Sequence, residues 1–300
     1  IIIETKDGKE QKPVINIRSS ISIDQISSTP ALQNTFAQGR TIDGERVHRG
    51  PEFLEEFSWG PEISTLEYDG TDYQFDKNGR LVSEGFGNGT PANTYDPLEF
   101  FHSGLSTNLN ASVNGGTEKL KYYFSGGYNN SQGVIPTNSF KRFNFNSNLN
   151  YDLSEKISLG LNALISSSKA NRSQKGSNID GVMLGLLRTT PTFDNTNGSS
   201  DPLNDTEAYT LEDGSQRSYR SGIYTNPYWT LNKNAHDDKV LRSILSLSIN
   251  YEIVDNLNLL LSVGSDQYKD ERTGGLGIQP FALNVARNGF AYERIIDYSS

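Results

Sequence analysis

From Ser139 to Leu153 the chain alternates. Phe143, Phe145, Leu149, Tyr151 and Leu153 occupy one set of positions, and Asn144, Asn146, Asn148, Asn150 and Asp152 occupy the other. Side chains on an extended chain point to opposite faces in turn, so this period of two predicts a strand with one apolar and one wet face. The same pattern holds for Ile157, Leu159, Leu161, Ala163 and Ile165 against Ser158, Gly160, Asn162 and Ser166. It holds again for Leu245, Leu247, Ile249, Tyr251 and Ile253 against Ser246, Ser248, Asn250 and Glu252. Looser alternation predicts strands over Ile15 to Ile23, Leu105 to Val113 and Leu120 to Tyr128. With the apolar run from Leu257 to Val263, this makes about seven strands and an all-β fold.

A soluble β-sandwich also alternates, so strand length and connections have to separate the two architectures. Sandwich strands run about five or six residues, whereas membrane strands run about ten and continue into loops, as these do. The polar faces carry small Asn and Ser, which suits a crowded wet interior; Leu164, Ile244 and Leu260 break that rule and are expected against a plug or in irregular wall. Tight turns at Asn114-Gly115-Gly116-Thr117, Ser154-Glu155 and Asp255-Asn256 alternate with long excursions over Asp24 to Ser103, Asn129 to Asn138 and Ala170 to Asp238. Short periplasmic turns and long extracellular loops are the habit of outer-membrane barrels. Tyr122, Tyr151 and Tyr251 then fall on the apolar face near the tight turns, where an interfacial aromatic girdle belongs.

Composition narrows the classes further. Only 34% of the 300 residues are hydrophobic, and no stretch approaches the roughly 18 apolar residues of a membrane-spanning helix, so any crossing has to be made by strands. With no Cys there are no disulfides and no thiolate metal sites. A formal charge of -9 with scattered Lys and Arg argues against nucleic acid as a partner. The chain opens at Ile1 inside an apolar run without an initiating Met, and is expected to be part of a longer one.

Candidate chemistry is sparse. There is no G-x-S-x-G elbow, H-E-x-x-H pair or P-loop, so no enzyme is expected. His48 with Glu52, and His236 with Asp237 and Asp238, read as solvated loop groups. The clusters Gly85-Phe86-Gly87-Asn88-Gly89 and Gly274-Gly275-Leu276-Gly277 read as turns. The segment from Asp194 to Asp213 is dense in oxygen ligands, and Asp194, Asp201 and Asp205 are compatible with calcium, although the spacing is not that of an EF-hand. A short helix is expected over Asp180 to Arg188. Sugar recognition uses aromatic faces flanked by amides and carboxylates, which makes Tyr224, Tyr228 and Trp229 substrate-lining candidates, together with Trp59. The ordinary alternative is that these aromatics staple their loops.

Several landmarks resemble the SusC/RagA type of TonB-dependent transporter. IIIETKDGK at Ile1 to Lys9 is similar to the last strand of that family's plug, PVINIRSSISID follows where its barrel begins, and SWGPEI at Ser58 to Ile63 resembles a tryptophan-glycine landmark. Between Tyr95 and Asn162 the phrases F-x-x-G, N-x-x-x-S-x-x-G-G, Y-Y-x-S-x-x-Y and G-x-I-x-x-N-x-x-x-R-x-N occur in the family's order and spacing. The resemblance implies residues 1–12 as the end of a plug domain, and residues 13–300 as the first part of a transmembrane barrel with long loops over about 25–103 and 170–238. It implies a barrel of twenty-two strands around a plug in the outer membrane, and import of an oligosaccharide or a peptide. The TonB-ExbB-ExbD system would energise import through a region preceding this one, a SusD-like lipoprotein would cover the mouth, and calcium would sit in a loop or in that partner, if anywhere. The alternative is a surface glycan-binding or adhesin β-sandwich.

Overall fold

The computed structural model describes residues 8–175, 181–279 and 287–300. Strand β1 (Gln11–Asp24) leads into a long connection that carries five short strands: β2 (Gly39–Ile42), β3 (Glu45–His48), β4 (Leu66–Tyr68), β5 (Leu81–Ser83) and β6 (Thr90–Pro91). The chain returns as β7 (Gly104–Gly116), β8 (Leu120–Gln132), β9 (Ser139–Ser154) and β10 (Ile157–Asn171). It departs again through two short helices, α1 (Val182–Arg188) and α2 (Pro227–Lys233). Last come β11 (His236–Val254), β12 (Leu257–Leu276) and β13 (Phe290–Ser299).

The eight long strands form one antiparallel sheet in the order β1-β7-β8-β9-β10-β11-β12-β13. Every strand pairs with its neighbour along the chain, and among the described residues β1 and β13 are the edges, so the sheet does not close on itself. The sequence pattern predicts seven of these strands. It misses β13 because Glu293, Arg294 and Asp297 interrupt the alternation; β13 pairs only with the loop-side half of β12, from Gln267 to Leu276. β1 begins at Gln11, two residues before the expected Pro13, and its register shifts between Gln11 and Val14. A proline cannot donate to the ladder, and a bulge in an edge strand is where one is tolerated. The expected plug strand lies, over residues 1–7, outside the described residues.

Register carries the alternation across the whole sheet. One row runs Asn16, Ser112, Ser125, Asn146, Leu164 and Ile244, and the adjacent row on the other face runs Ile17, Ala111, Gly126, Phe145 and Ile165. The polar rows are knitted by amides and hydroxyls, for example Asn129 Nδ2 donating to Asn108 Oδ1 at 2.5 Å. Among the described residues nothing covers the apolar rows: Ile17 is 70% exposed, Val263 66% and Leu245 48%. A sandwich would bury that face against a second sheet, and the only other sheets among the described residues are the two-stranded β2-β3 and the three-stranded β5-β4-β6 in the first long connection. The sandwich alternative is therefore set aside. Leu164 and Ile244 do face the polar side, as cross-strand partners, and with Tyr123 they line an open cavity of about 460 Å³.

Tight connections join β7 to β8, β9 to β10 and β11 to β12 at one end of the sheet, and every long connection lies at the other. Asn256 adopts φ 65° in the β11–β12 turn, a left-handed conformation that Asn accepts more readily than most residues. Tyr122, Tyr151 and Tyr251 stand on the apolar face beside these turns. Gly274 and Gly275 correct an expectation, since both belong to β12 and not to a turn. Tyr292 of β13 lies over Gly274, where a Cβ would meet its ring at 2.5 Å, so the glycine serves an aromatic that covers the strand. No described helix is long and apolar enough to cross a membrane.

Candidate functional site

The long connections fold against one another at the loop end of the sheet. In the first, Gly60 crosses the backbone of Ala37 to Gly39 so closely that a Cβ would meet Gln38 O at 2.9 Å and Gly39 Cα at 3.1 Å. That crossing explains the Trp59-Gly60 landmark: the glycine allows the approach, and the indole turns outward onto Phe36 with ring centroids 5.8 Å apart. The second excursion, over residues 172–235, then docks on the first. Gln38 Nε2 donates to Tyr219 O at 3.0 Å, Arg220 Nη1 reaches Glu56 at 2.6 Å, and the Tyr95 amide donates to Pro191 O at 2.9 Å. The remaining connections are tied in by Asn138 to Ser173 and by Gln216 to Gln279.

At the centre lies Arg217, 1% exposed. Its Nη1 donates to the carbonyls of Asp194 at 2.7 Å and Ala208 at 3.1 Å, and its Nη2 donates to the carbonyl of Phe75 in the first connection. The guanidinium lies 4.5 Å from the centroid of the Phe193 ring, beside Phe75 and Tyr219. Burial draws its pKa down to about 10, with Asp194 and Asp76 opposing the shift, so it stays charged at neutral pH. A buried charge whose donors meet fixed carbonyls selects one relative placement of the segments that supply them. Glu55, 1% exposed, has the same character: it accepts from Arg40 at 2.5 Å, lies 3.2 Å from Arg49, and receives the amides of Glu56 and Phe57. Burial raises its pKa, yet the Arg40 hydrogen bond and the two amides outweigh that and hold it below the usual carboxylate value.

The sequence-derived aromatics separate in the structure. Tyr228 and Trp229 are 5% and 3% exposed, packed in α2 with Phe100, Leu186 and Tyr209. Tyr224 stacks on Tyr219 at 5.7 Å with Arg188 4.6 Å from its ring centroid, while Trp59 stays 59% exposed. The three aspartates use their carboxylates locally. Asp194 accepts from Thr196 and Gly198, Asp201 from Asn204, and Asp205 from the Glu207 amide. Among the described residues no group of three or more His, Asp or Glu stands ready to hold a metal ion. The expected helix near Asp180 is present as α1. α2 was missed, although Asn226-Pro227 is a helix-start signal: Asn226 Oδ1 caps the Tyr228 amide at 2.9 Å with Pro at the first position.

What the assembled loops offer is concave and mixed in character. A cavity of about 390 Å³ is lined by Tyr95, Phe100 and Tyr228 together with Glu99, Asp194 and Asn195. A wider one of about 740 Å³ is lined by Glu52, Tyr73, Lys77, Arg80, Glu207 and Glu212. Aromatic faces beside amides and carboxylates can hold a polar chain by stacking and hydrogen bonding.

Replacing Arg217 by Leu leaves the Phe75 carbonyl without a donor, at about 1–3 kcal/mol, and takes one donor each from the Asp194 and Ala208 carbonyls, which keep the Asn197 amide and Asn226 Nδ2. The expected result is a loosening of the loop assembly by about 1–3 kcal/mol, seen as faster amide exchange at residues 73–80 and 191–219 while β7–β12 keep their protection. His48 makes the same region sensitive to acid. Burial lowers its pKa from 6.5 to about 4, against the pull of Glu52. Between those values the unfolded chain holds a proton that the folded one excludes. Stability is therefore complete above pH about 6.5 and declines by up to about 3 kcal/mol as pH falls toward 4. His48→Gln should flatten that part of the pH profile of exchange at residues 39–80.

No protein-family model matches the chain. It is 25% identical over 162 residues to TonB-dependent receptor P3 of Formosa agariphila, which covers 54% of this chain and 12% of that protein. It is 29% identical over 144 residues to the TonB-dependent receptor SusC of Bacteroides thetaiotaomicron, covering 48% and 13%. These matches thus span about an eighth of either relative. The fold is similar to solved structures of the RagAB peptide importer in its closed-closed and open-open states, with TM-scores of 0.63 and 0.62, each at 18% identity over 98% of this chain and 32% of that one. The chain is thus similar in sequence to two TonB-dependent receptors, and along almost its whole length it shares the fold of the RagAB peptide importer.

Proposed function

We propose that the chain is a stretch of the wall and mouth of an outer-membrane β-barrel that imports a nutrient, an oligosaccharide or a peptide, with energy from the TonB-ExbB-ExbD system and a SusD-like lipoprotein over the loop end. The observation that carries this is the uncovered apolar face of the eight-stranded sheet, bounded by Tyr122, Tyr151 and Tyr251 at the tight-turn end. In water such a face would be costly; against lipid it is what a barrel wall presents. The opposite face, rich in Asn and Ser, is suited to a hydrated lumen and a plug, and the patch of Tyr123, Leu164 and Ile244 gives a plug an apolar contact. The curated relatives are receptors named for TonB, and one of the similar structures is a peptide importer.

Two measurements test this reading. Leu245→Arg, midway along the apolar face, should cost about 2–4 kcal/mol in folding of the full-length protein into bilayers, and Ser246→Arg on the polar face much less. Equal costs would mean that the apolar face does not meet lipid. In the native host, deletion of the gene should abolish uptake of one class of labelled substrate, oligosaccharide or peptide, to the level of a strain lacking TonB, with a surface lipoprotein co-purifying from outer membranes. Uptake that persists without TonB would overturn the import mechanism.

A further inference from the structure

Three lysines stand side by side on the apolar face, at the border with the loops. Lys141 of β9 is the cross-strand partner of Lys169 of β10, and Lys169 is the partner of Lys239 of β11. All three are exposed, and all three share the outward parity of Phe143, Ile165 and Leu245. Like charges directly opposite one another on neighbouring strands are destabilising, because their Cβ atoms are only about 4.5–5.5 Å apart. The fold offers little to offset this. The next residue in the row, Glu271 of β12, is ion-paired with Lys269 at 2.5 Å, and among the described residues no ion pair to Lys141, Lys169 or Lys239 is formed. Asp237 stands diagonally to Lys169, and Glu293 and Asp297 of β13 share the face beyond β12, so the positive excess is confined to the β9–β10 side of the row.

The height of the row identifies what it meets. Lys141 lies ten residues along β9 from Tyr151, and Lys239 twelve along β11 from Tyr251. At about 3.4 Å per residue and a strand tilt of about 40°, that places the lysines roughly 25–30 Å from the tyrosine level. This is the height of the apolar band of a barrel wall, so the ammonium groups emerge where hydrocarbon gives way to headgroups. They do so on the loop side, which in the reading above is the outer leaflet.

We propose that Lys141, Lys169 and Lys239 form a binding site on the lipid-facing wall for the phosphate groups of a phosphorylated glycolipid headgroup in the outer leaflet. The proposal rests on the membrane-wall reading. Three ammonium groups in one row supply nine donors to phosphate oxygens, and a bound anion removes the mutual repulsion that the register imposes. The chemistry is electrostatic, so occupancy falls as salt rises.

The test uses the full-length transporter in non-ionic detergent, with bound lipid counted by native mass spectrometry. Diphosphorylated lipid A should be retained by the wild type and by Lys156→Gln at the opposite end. Retention should drop at least about tenfold in the triple variant Lys141→Gln, Lys169→Gln, Lys239→Gln. Dephosphorylated lipid A should bind the wild type and the triple variant alike. Equal retention of the diphosphorylated lipid by the triple variant overturns the site, and its displacement by millimolar inorganic phosphate overturns the assignment to a lipid. Insertion of each protein into vesicles is measured in parallel. If the wild type fails to insert, the wall reading fails and the site with it; if all insert and only retention is unchanged, the lysine site alone is lost.

Discussion

Parity is the constraint on which the rest of this structure depends. A strand sends successive side chains to opposite faces, and a slip of one residue would exchange the two sets. Here β7 to β12 keep register closely enough that Ile17, Phe145 and Ile165 share a face with one another and with no residue of the Asn and Ser rows. The sheet therefore has two surfaces with different solvents. The apolar one is left without a protein partner, and the polar one carries hydrogen-bonding groups along most of its length. Because β11 and β12 run for 19 and 20 residues, they extend about 65 Å and outreach the apolar band. Their loop-side halves bear charge instead: Arg242 with Asp266, Arg272 with Asp270 and Arg172 with Asp238.

The loop end obeys a different rule. Long polar connections bury few aliphatic side chains, and among the described residues their apolar packing is three small clusters, two of them largely aromatic. Buried polar groups complete the packing: Arg217 and Gln38 reach backbone from another segment, and Glu55 gathers Arg40, Arg49 and the two amides that follow it. Such groups contribute specificity because each has partners in one arrangement and none in the others, and unmet they are costly. The mixed cavities beside Tyr95 and Glu52 are bounded by the segments these bonds hold, so the shape of the mouth and the buried charges are coupled.

Particular residues show how far the sequence could be read. The alternation of Phe143, Phe145, Leu149 and Tyr151 identified β9, and the glycine and aspartate turns identified its neighbours, because both signals are local. β13 escaped notice since its charged residues pair beyond the apolar band, where alternation is no longer enforced by lipid. Gly274 and Gly275 read as a turn, but an aromatic on the next strand made them strand residues. Arg217 gave no signal: an arginine in a Ser-Gln-Arg-Ser run reads as solvated, and only the meeting of residues 75, 194 and 208 around it makes it central. Tyr228 and Trp229 carried a dual reading that one sequence leaves open, and it was packing with Phe100 and Leu186 that placed them in a core.

By itself, then, the sequence determined the quantities that repeat along a strand: the all-β class, the face of each wall residue, the short and long ends, and the position of the tyrosines. These follow from period two and from turn chemistry, which act over a few residues. Only the tertiary structure decided how the excursions dock, which polar groups lie buried between them, and that Lys141, Lys169 and Lys239 stand in one row. Those are relations between residues separated by tens to more than a hundred positions, set by register and loop closure, and nothing in the local pattern of a single chain encodes them.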